Sequence, residues 1–147
     1  EHAFMPIVVR VLSESDYTSW VTERKKAMAA LADDPTKTYT IDELKQRGEK
    51  VFSANCVACH QSTGKGVPGS FPALDASAKV TGPKADQIAI MLNGVVKNGN
   101  PTAMASFKNL SDVEIASVIT YTRHAWSNAG KGTDPVVQPS EITVARK

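Results

Sequence analysis

Apolar positions along this chain change their period several times, and each change marks an element. Phe4-Met5-Pro6-Ile7-Val8-Val9-Arg10-Val11-Leu12 is a β-branched run that predicts a strand. Ser13 with Asp16 three residues on then reads as a helix N-cap, and Tyr17, Trp20, Val21, Met28 and Leu31 share one helical stripe. The stretch Ala32-Asp33-Asp34-Pro35-Thr36-Lys37 ends that helix and reads as a linker, since Pro35 restricts φ and the acidic pair has no apolar partner.

Helical spacing resumes at Thr40-Ile41-Asp42-Glu43, a capping box, and continues through Ile41, Leu44, Val51 and Phe52. Gly48 sits inside this helix at a cost of about 1 kcal/mol relative to Ala. A bare backbone there predicts a close crossing with another helix. The last long helix is the natural partner: Ser111-Asp112-Val113-Glu114 is a second capping box, Ile115, Ile119, Thr122 and Trp126 form its stripe, and Gly130 and Gly132 mark its end. Between these helices the pattern predicts a Gly/Pro-rich loop over 64–83, a short helix around Asp86–Leu92, and a loop over 93–110. Residues 131–147 carry two prolines and no helical period, and read as extended. The expected organisation is therefore 1–39, a compact unit 40–128, and a tail 129–147. No repeat or low-complexity tract is visible, which removes solenoids and arrays.

Composition adds limits. A chain of 147 residues makes one ordinary domain, or a small one with flanks. Apolar residues are 41% and aromatics only 6%, so a core is possible but short of large side chains. No apolar stretch approaches the roughly 20 residues that cross a bilayer. Glu1-His2-Ala3-Phe4 has neither an initiator Met nor a signal pattern, so a processed or truncated piece is expected. A formal charge of +2 is too near balance to argue for a nucleic-acid partner. Two cysteines three residues apart are too few for a secreted disulfide framework.

Those cysteines carry the chemistry. Cys56-Val57-Ala58-Cys59-His60 has the spacing of a covalent attachment site for c-type haem. Two thiols three apart, following a helix, reach the two vinyl groups on adjacent edges of one porphyrin, and His60 then lies under the iron as proximal ligand. The porphyrin is itself a large apolar plate, which answers the shortage of aromatic side chains. Other readings are weaker. A thioredoxin-like pair would follow a strand, whereas these thiols follow the helix 41–54. A zinc site needs about four protein ligands, and only three His accompany the two Cys. A disulfide across so short a loop would contribute little.

A sixth iron ligand separates an electron carrier from a site for small molecules. Met5, Met28, Met91 and Met104 are the thioether candidates, and His2 and His124 the imidazole ones. Met91, among Ile88, Ile90 and Leu92, reads as core packing, as does Met28 on its stripe. His124, beside Arg123, reads as a surface residue. Met104 sits in the irregular stretch Asn98-Gly99-Asn100-Pro101-Thr102-Ala103-Met104-Ala105, where a Pro-set loop can deliver a side chain across the haem, and is preferred over its alternative, a loop residue packed on the haem edge. The axial His needs its other nitrogen tied to an acceptor, and Pro72, in Gly64-Lys65-Gly66-Val67-Pro68-Gly69-Ser70-Phe71-Pro72-Ala73-Leu74, is a plausible source of that carbonyl. Without the haem this segment reads as an ordinary Gly/Pro turn, and it lacks the Lys-Ser/Thr of a phosphate-binding loop.

Residues 40–128 resemble a class I cytochrome c: C-V-A-C-H near the start, F-P-A-L in the middle, and T-A-M-A-S-F before the last helix, with Gly48 and Phe52 at the helix crossing opposite Tyr121. The run from Asn93-Gly94-Val95-Val96 through Phe107, followed by Asn109 to Tyr121, is similar to the haem domain fused to subunit II of bacterial caa-type cytochrome c oxidases. His2-Ala3-Phe4-Met5-Pro6-Ile7 is similar to the end of that subunit's dinuclear copper (CuA) motif, with His2 and Met5 on ligand positions. The bridging cysteines are absent, so His2 and Met5 would be remnants and copper is not expected here. The resemblance implies a mainly α fold: a class I cytochrome c helical domain around one covalent haem c, a short N-terminal strand and helix left from a cupredoxin domain, and an extended C-terminal tail.

The same resemblance implies a function. The haem would take electrons from a quinol-side donor, either a soluble cytochrome or a quinol-oxidising complex, and pass them to CuA and the other subunits of an oxygen-reducing oxidase. It would lie on the periplasmic or outer face of the membrane, with the parent subunit anchored upstream of Glu1. Two other classes remain open: the haem c subunit of another redox enzyme, such as an alcohol dehydrogenase or peroxidase, and a five-coordinate haem sensor if Met104 does not bind iron. The segment 1–39, with Tyr17, Trp20 and Val21, is expected to favour self-association.

Overall fold

The computed structural model describes residues 9–31, 33–132 and 134–147, and of residues 26–31 only the backbone. In chain order the elements are α1 (Glu14–Leu31), α2 (Ile41–Asn55), α3 (Val57–His60), α4 (Ala78–Thr81), α5 (Lys84–Asn93), β1 (Val96–Lys97), β2 (Asn100–Pro101), α6 (Asp112–His124), a 3-10 turn over Trp126–Asn128, and α7 (Pro139–Ala145). They fall into two units, Glu1–Ala32 and Asp33–Lys147. The second unit therefore takes in the linker end and the whole tail, beyond the expected limits of 40 and 128.

In the first unit α1 starts where Ser13 caps it, the Ser13 hydroxyl accepting from the Asp16 amide at 3.2 Å. Tyr17 and Trp20 stack with ring centroids 6.0 Å apart, and the Arg24 guanidinium lies 5.7 Å from the Trp20 ring. Both rings are exposed. The side chains of Met28 and Leu31 lie outside the described residues, as do His2, Met5 and the expected strand up to Val8. Its remainder, residues 9–12, is in no strand. A β-branched run becomes a strand only where another segment completes its ladder, and no described residue does so.

In the second unit both capping boxes form. The Thr40 amide donates to Glu43 Oε2 at 2.8 Å and the Ser111 amide to Glu114 Oε2 at 2.8 Å, while each hydroxyl accepts in return. Lys37, then the Thr40 amide, holds the Glu43 carboxyl down at about 2, so the first cap stays ionised.

α2 and α6 cross in contact at Gly48. A β-carbon there would lie 2.1 Å from the Ser117 carbonyl oxygen and 2.6 Å from Tyr121 Cβ. The core closes around this crossing: Leu44 and Phe52 from α2, Val113, Ile115, Ala116 and Ile119 from α6, and Ile88, Met91 and Leu92 from α5. The Phe52, Tyr121 and Trp126 rings meet beside it, with centroids 5.4 to 6.0 Å apart.

Three expectations are corrected. α6 stops at His124 rather than running through Trp126 to Gly130, because Ala125 turns extended (φ −80°, ψ 156°) and Trp126 follows with a left-handed backbone (φ 54°), neither of which an α-helix continues. The loop 93–110 contains an antiparallel hairpin, pairing Val96 with Pro101 and Lys97 with Asn100. The tail is not extended. Pro139 opens α7, Gln138 and Glu141 cap it reciprocally, and Val137 and Ile142 are fully buried. Burying two such side chains stabilises by roughly 1.5–3 kcal/mol each, enough to hold a helix too short to form alone. None of the described helices is long and apolar enough to cross a membrane.

The crossing inverts an ordinary rule. Gly→Ala in a helix normally stabilises, yet Gly48→Ala is expected to lower the stability of the holoprotein by about 2 kcal/mol or more through overpacking. Thermal unfolding measures this, and an unchanged or raised Tm would contradict the crossing.

Candidate functional site

The candidate site begins where α2 ends. The Cys56 amide still donates to the Phe52 carbonyl at 2.8 Å, and the His60 amide then donates to the Cys56 carbonyl at 2.9 Å. Both cysteines and the histidine thus share little more than one helical turn. Gln61 breaks that turn with φ 59°, and the Gly66 amide returns to the His60 carbonyl at 3.0 Å.

His60 is buried, and its Nδ1 lies 3.0 Å from the Pro72 carbonyl oxygen. A carbonyl only accepts, so Nδ1 carries the proton and donates, leaving the Nε2 lone pair free to bind a metal. Gly66 makes this approach possible. Its φ is 62°, and a β-carbon would meet the Phe71 and Pro72 carbonyl oxygens at 2.4 and 2.6 Å. Val67 and Phe71 exchange backbone hydrogen bonds of 2.9 and 2.8 Å, which fixes the turn that presents Pro72.

Cys56 and Cys59 are both free and half-buried. Burial first, and the neighbouring Cys59 second, push the Cys56 thiol up to about 11. It is a neutral S–H at physiological pH. Thiolate nucleophiles and metal-bound cysteines show the opposite shift, whereas thioether formation adds an S–H across a vinyl group. Cys56, Val57, Leu74, Met104, Phe107 and Trp126 pack against the core while staying partly open. The donor set and this incompletely covered apolar edge both fit a covalent porphyrin.

Met104 is held by its own backbone. Its carbonyl accepts from Val95 N at 2.9 Å, and its amide donates to Thr102 Oγ1 at 3.2 Å. Next to it, Ser106 Oγ donates to the Leu92 carbonyl at 2.6 Å and Phe107 N to the Met91 carbonyl at 2.8 Å. The fold thus gathers Cys56, Cys59, His60 and Pro72 in one hydrogen-bonded neighbourhood and packs Met104 on the same core. His2 and Met5 lie outside the described residues, and no group of three or more His, Cys, Asp or Glu among the described residues could hold a metal ion.

Several positioning residues escaped the sequence reading. Trp126 Nε1 donates to the Ser62 carbonyl at 3.0 Å, and its ring lies over Gly64. Asn128 Nδ2 donates to the Leu74 and Thr122 carbonyls at 2.9 and 3.0 Å, and Ser127 holds Asp75, whose carboxyl it lowers. Together they lash the loop carrying Pro72 to the end of α6. Arg123 is almost fully buried and donates through Nη1 to the Val80 carbonyl at 2.6 Å and to Gln87 at 2.7 Å, tying α4 and α5 to α6. The sequence pattern set Trp126 on the stripe of the last helix and so gave no sign of its bond to Ser62. A buried arginine between polar neighbours offered no signal either.

The family model described as cytochrome c matches residues 45–126. The chain is 36% identical over 97 residues to cytochrome c-552 of Thermus thermophilus, covering 57% of this chain and 71% of that protein. It is 36% identical over 106 residues to the cytochrome c subunit of the quinone alcohol dehydrogenase of Gluconobacter oxydans, covering 67% of this chain but only 22% of that protein. It is 30% identical over 111 residues to the cbb3-type cytochrome c oxidase subunit FixP of a Bradyrhizobium species, covering 73% of this chain and 38% of that protein. The chain belongs to the cytochrome c family: it is a mainly helical, class I electron-transfer domain with one covalent haem c.

The expectation that His60 is the axial ligand gives a direct test of this geometry. Gly66→Ala should drive the Pro72 carbonyl away, weaken the Nδ1 hydrogen bond and make the imidazole a poorer donor to ferric iron. Losing about 1 kcal/mol of that preference would raise the one-electron midpoint on the order of 40 mV. Spectroelectrochemical titration reads it, and an unchanged or lowered midpoint would count against the arrangement.

Proposed function

We propose that this cytochrome c domain is the tethered haem of an oxidase subunit II, relaying single electrons from a quinol-side donor to a CuA centre. On this reading Cys56 and Cys59 form the thioether links, His60 and Met104 are the axial ligands, and the Pro72 carbonyl orients His60. When bound, the haem supplies a one-electron ferric/ferrous couple, with a thioether ligand favouring the ferrous state. The chain's own residues do the rest. The Pro72 hydrogen bond sets the His60 tautomer before iron is bound, and Val95, Thr102 and Met91 hold the Met104 segment, so little has to move on reduction. The observation that carries the electron-carrier reading is the 3.0 Å His60–Pro72 contact, which leaves one imidazole nitrogen aimed for a metal.

The oxidase assignment is supported by the likeness of His2-Ala3-Phe4-Met5-Pro6-Ile7 to the end of a CuA motif, with His2 and Met5 as remnants of a site not completed in this chain. The placement follows from that: periplasmic, or on the outer face of the membrane. The similarity to a dehydrogenase cytochrome subunit favours a second reading, in which the donor is a periplasmic dehydrogenase and the acceptor lies elsewhere. Exposed Tyr17 and Trp20 support some self-association through residues 1–39.

Two outcomes are expected. Reduced holoprotein mixed with a soluble CuA domain should be oxidised in a stopped-flow experiment. The rate should depend weakly on salt, since residues 40–128 carry nine basic and seven acidic side chains before two propionates are added. No transfer to CuA, with rapid reduction by a quinoprotein dehydrogenase, would favour the second reading. The haem-free chain should be largely unfolded by circular dichroism; a cooperative melt without haem would contradict the plate's place in the core.

A further inference from the structure

The helix α7 lies wholly outside the family-matched stretch 45–126, and its two ends grip different things. At its start the Gln138 side chain clasps Tyr39, accepting from its amide and donating to its carbonyl, both at 3.0 Å. At its finish Arg146 spends three donors on one short segment: Nε to Asp112 Oδ1 at 2.5 Å, Nη1 to the Lys108 carbonyl at 2.8 Å, and Nη2 to the Leu110 carbonyl at 2.6 Å. Thr143 takes the other Asp112 oxygen at 2.5 Å. The Arg146 side chain is 30% exposed and Asp112 15%, so solvent screens this grip in part while the charge-assisted fork keeps its direction.

Lys108 and Leu110 finish the loop that carries Met104. Their other backbone bonds are local: Lys108 N to Ser106 Oγ at 3.3 Å and Leu110 N to the Phe107 carbonyl at 3.0 Å. Toward its start the 104–110 segment is anchored by Val95 on the Met104 carbonyl and by Ser106 and Phe107 on the end of α5; at its finish the Leu110 side chain enters the core and Arg146 holds the Lys108 and Leu110 carbonyls. We propose that Arg146 is a positioning residue for Met104: α7 works as a strap whose C-terminal arginine sets how often the 104–110 segment opens, and so how often iron loses its sulfur ligand. A guanidinium suits this because its rigid plane sets donors on three separate nitrogens, Nε, Nη1 and Nη2, whereas the three donors of an ammonium share one nitrogen. The inference rests on Met104 as axial ligand.

Arg146→Ala and Gln138→Ala holoproteins separate this role from general stability. Each releases one end of α7, but only the first frees the Met104 loop. At saturating imidazole, the rate of imidazole binding to the ferric protein equals the rate of loop opening. Arg146→Ala is expected to raise it about tenfold, the worth of one charge-assisted hydrogen bond, Arg146→Lys to restore it only in part, and Gln138→Ala to leave it near the starting value. Hydrogen exchange at the Phe107 and Val95 amides should follow the same order. Rates and exchange that track Tm equally in both variants, or that Arg146→Ala leaves unchanged, would overturn the proposal. If the unaltered ferric protein lacks the sulfur-to-iron charge-transfer band, the Met104 reading and with it the ligand-gating claim fail, while the amide data still decide whether Arg146 clamps the loop.

Discussion

Everything in the larger unit depends on the absence of one carbon atom. Gly48 lets the backbone of α2 rest on the Ser117 carbonyl of α6, a contact that any β-carbon would block at 2.1 Å. That approach brings Phe52 against Tyr121 and Trp126 and sets the direction in which α2 delivers Cys56. Because the pentapeptide starts on the last turn of α2, the position of the thiols and of His60 is inherited from the crossing. The end of α6 closes the circuit: Trp126 and Asn128 reach back to hold residues 62 and 74, on either side of the turn that presents Pro72.

The site therefore spends little freedom when it acts. His60 has its tautomer set by a backbone carbonyl, and the Met104 segment is held by bonds to Val95, Thr102 and Met91. Preorganised groups need not rearrange when charge changes on a metal, which is what transfer of a single electron requires.

How much of this was legible depended on how local each signal was. The capping boxes at Thr40 and Ser111, the short helix now seen as α5, and the meaning of Gly48 are each carried by a few neighbouring residues and a period, and each is realised. Pro72 was readable only through a chemical need, an acceptor for the second ring nitrogen, and its carbonyl does lie at hydrogen-bond distance. The α7 helix was hidden because its N-cap is a glutamine and its stability comes from burying Val137 and Ile142 on distant partners. The hairpin offered Asn98-Gly99, a strong turn signal, but Pro101 argued against a strand beside it. Arg123 and the left-handed Trp126 had no local mark, since only the assembled core decides that an arginine is buried or that a helix stops.

The family-matched stretch, residues 45–126, carries the haem-binding motif and the helix crossing that positions it. The account's central claim is a six-coordinate iron, His60 on one side and Met104 on the other. The most direct test is the proton NMR spectrum of the reduced, matured holoprotein with methyl-labelled methionine. The account predicts that one methionine methyl, lost in Met104→Leu, lies far upfield of the protein envelope because it sits over the ring current of the porphyrin. Four methionine methyl signals all in the ordinary aliphatic region would contradict it.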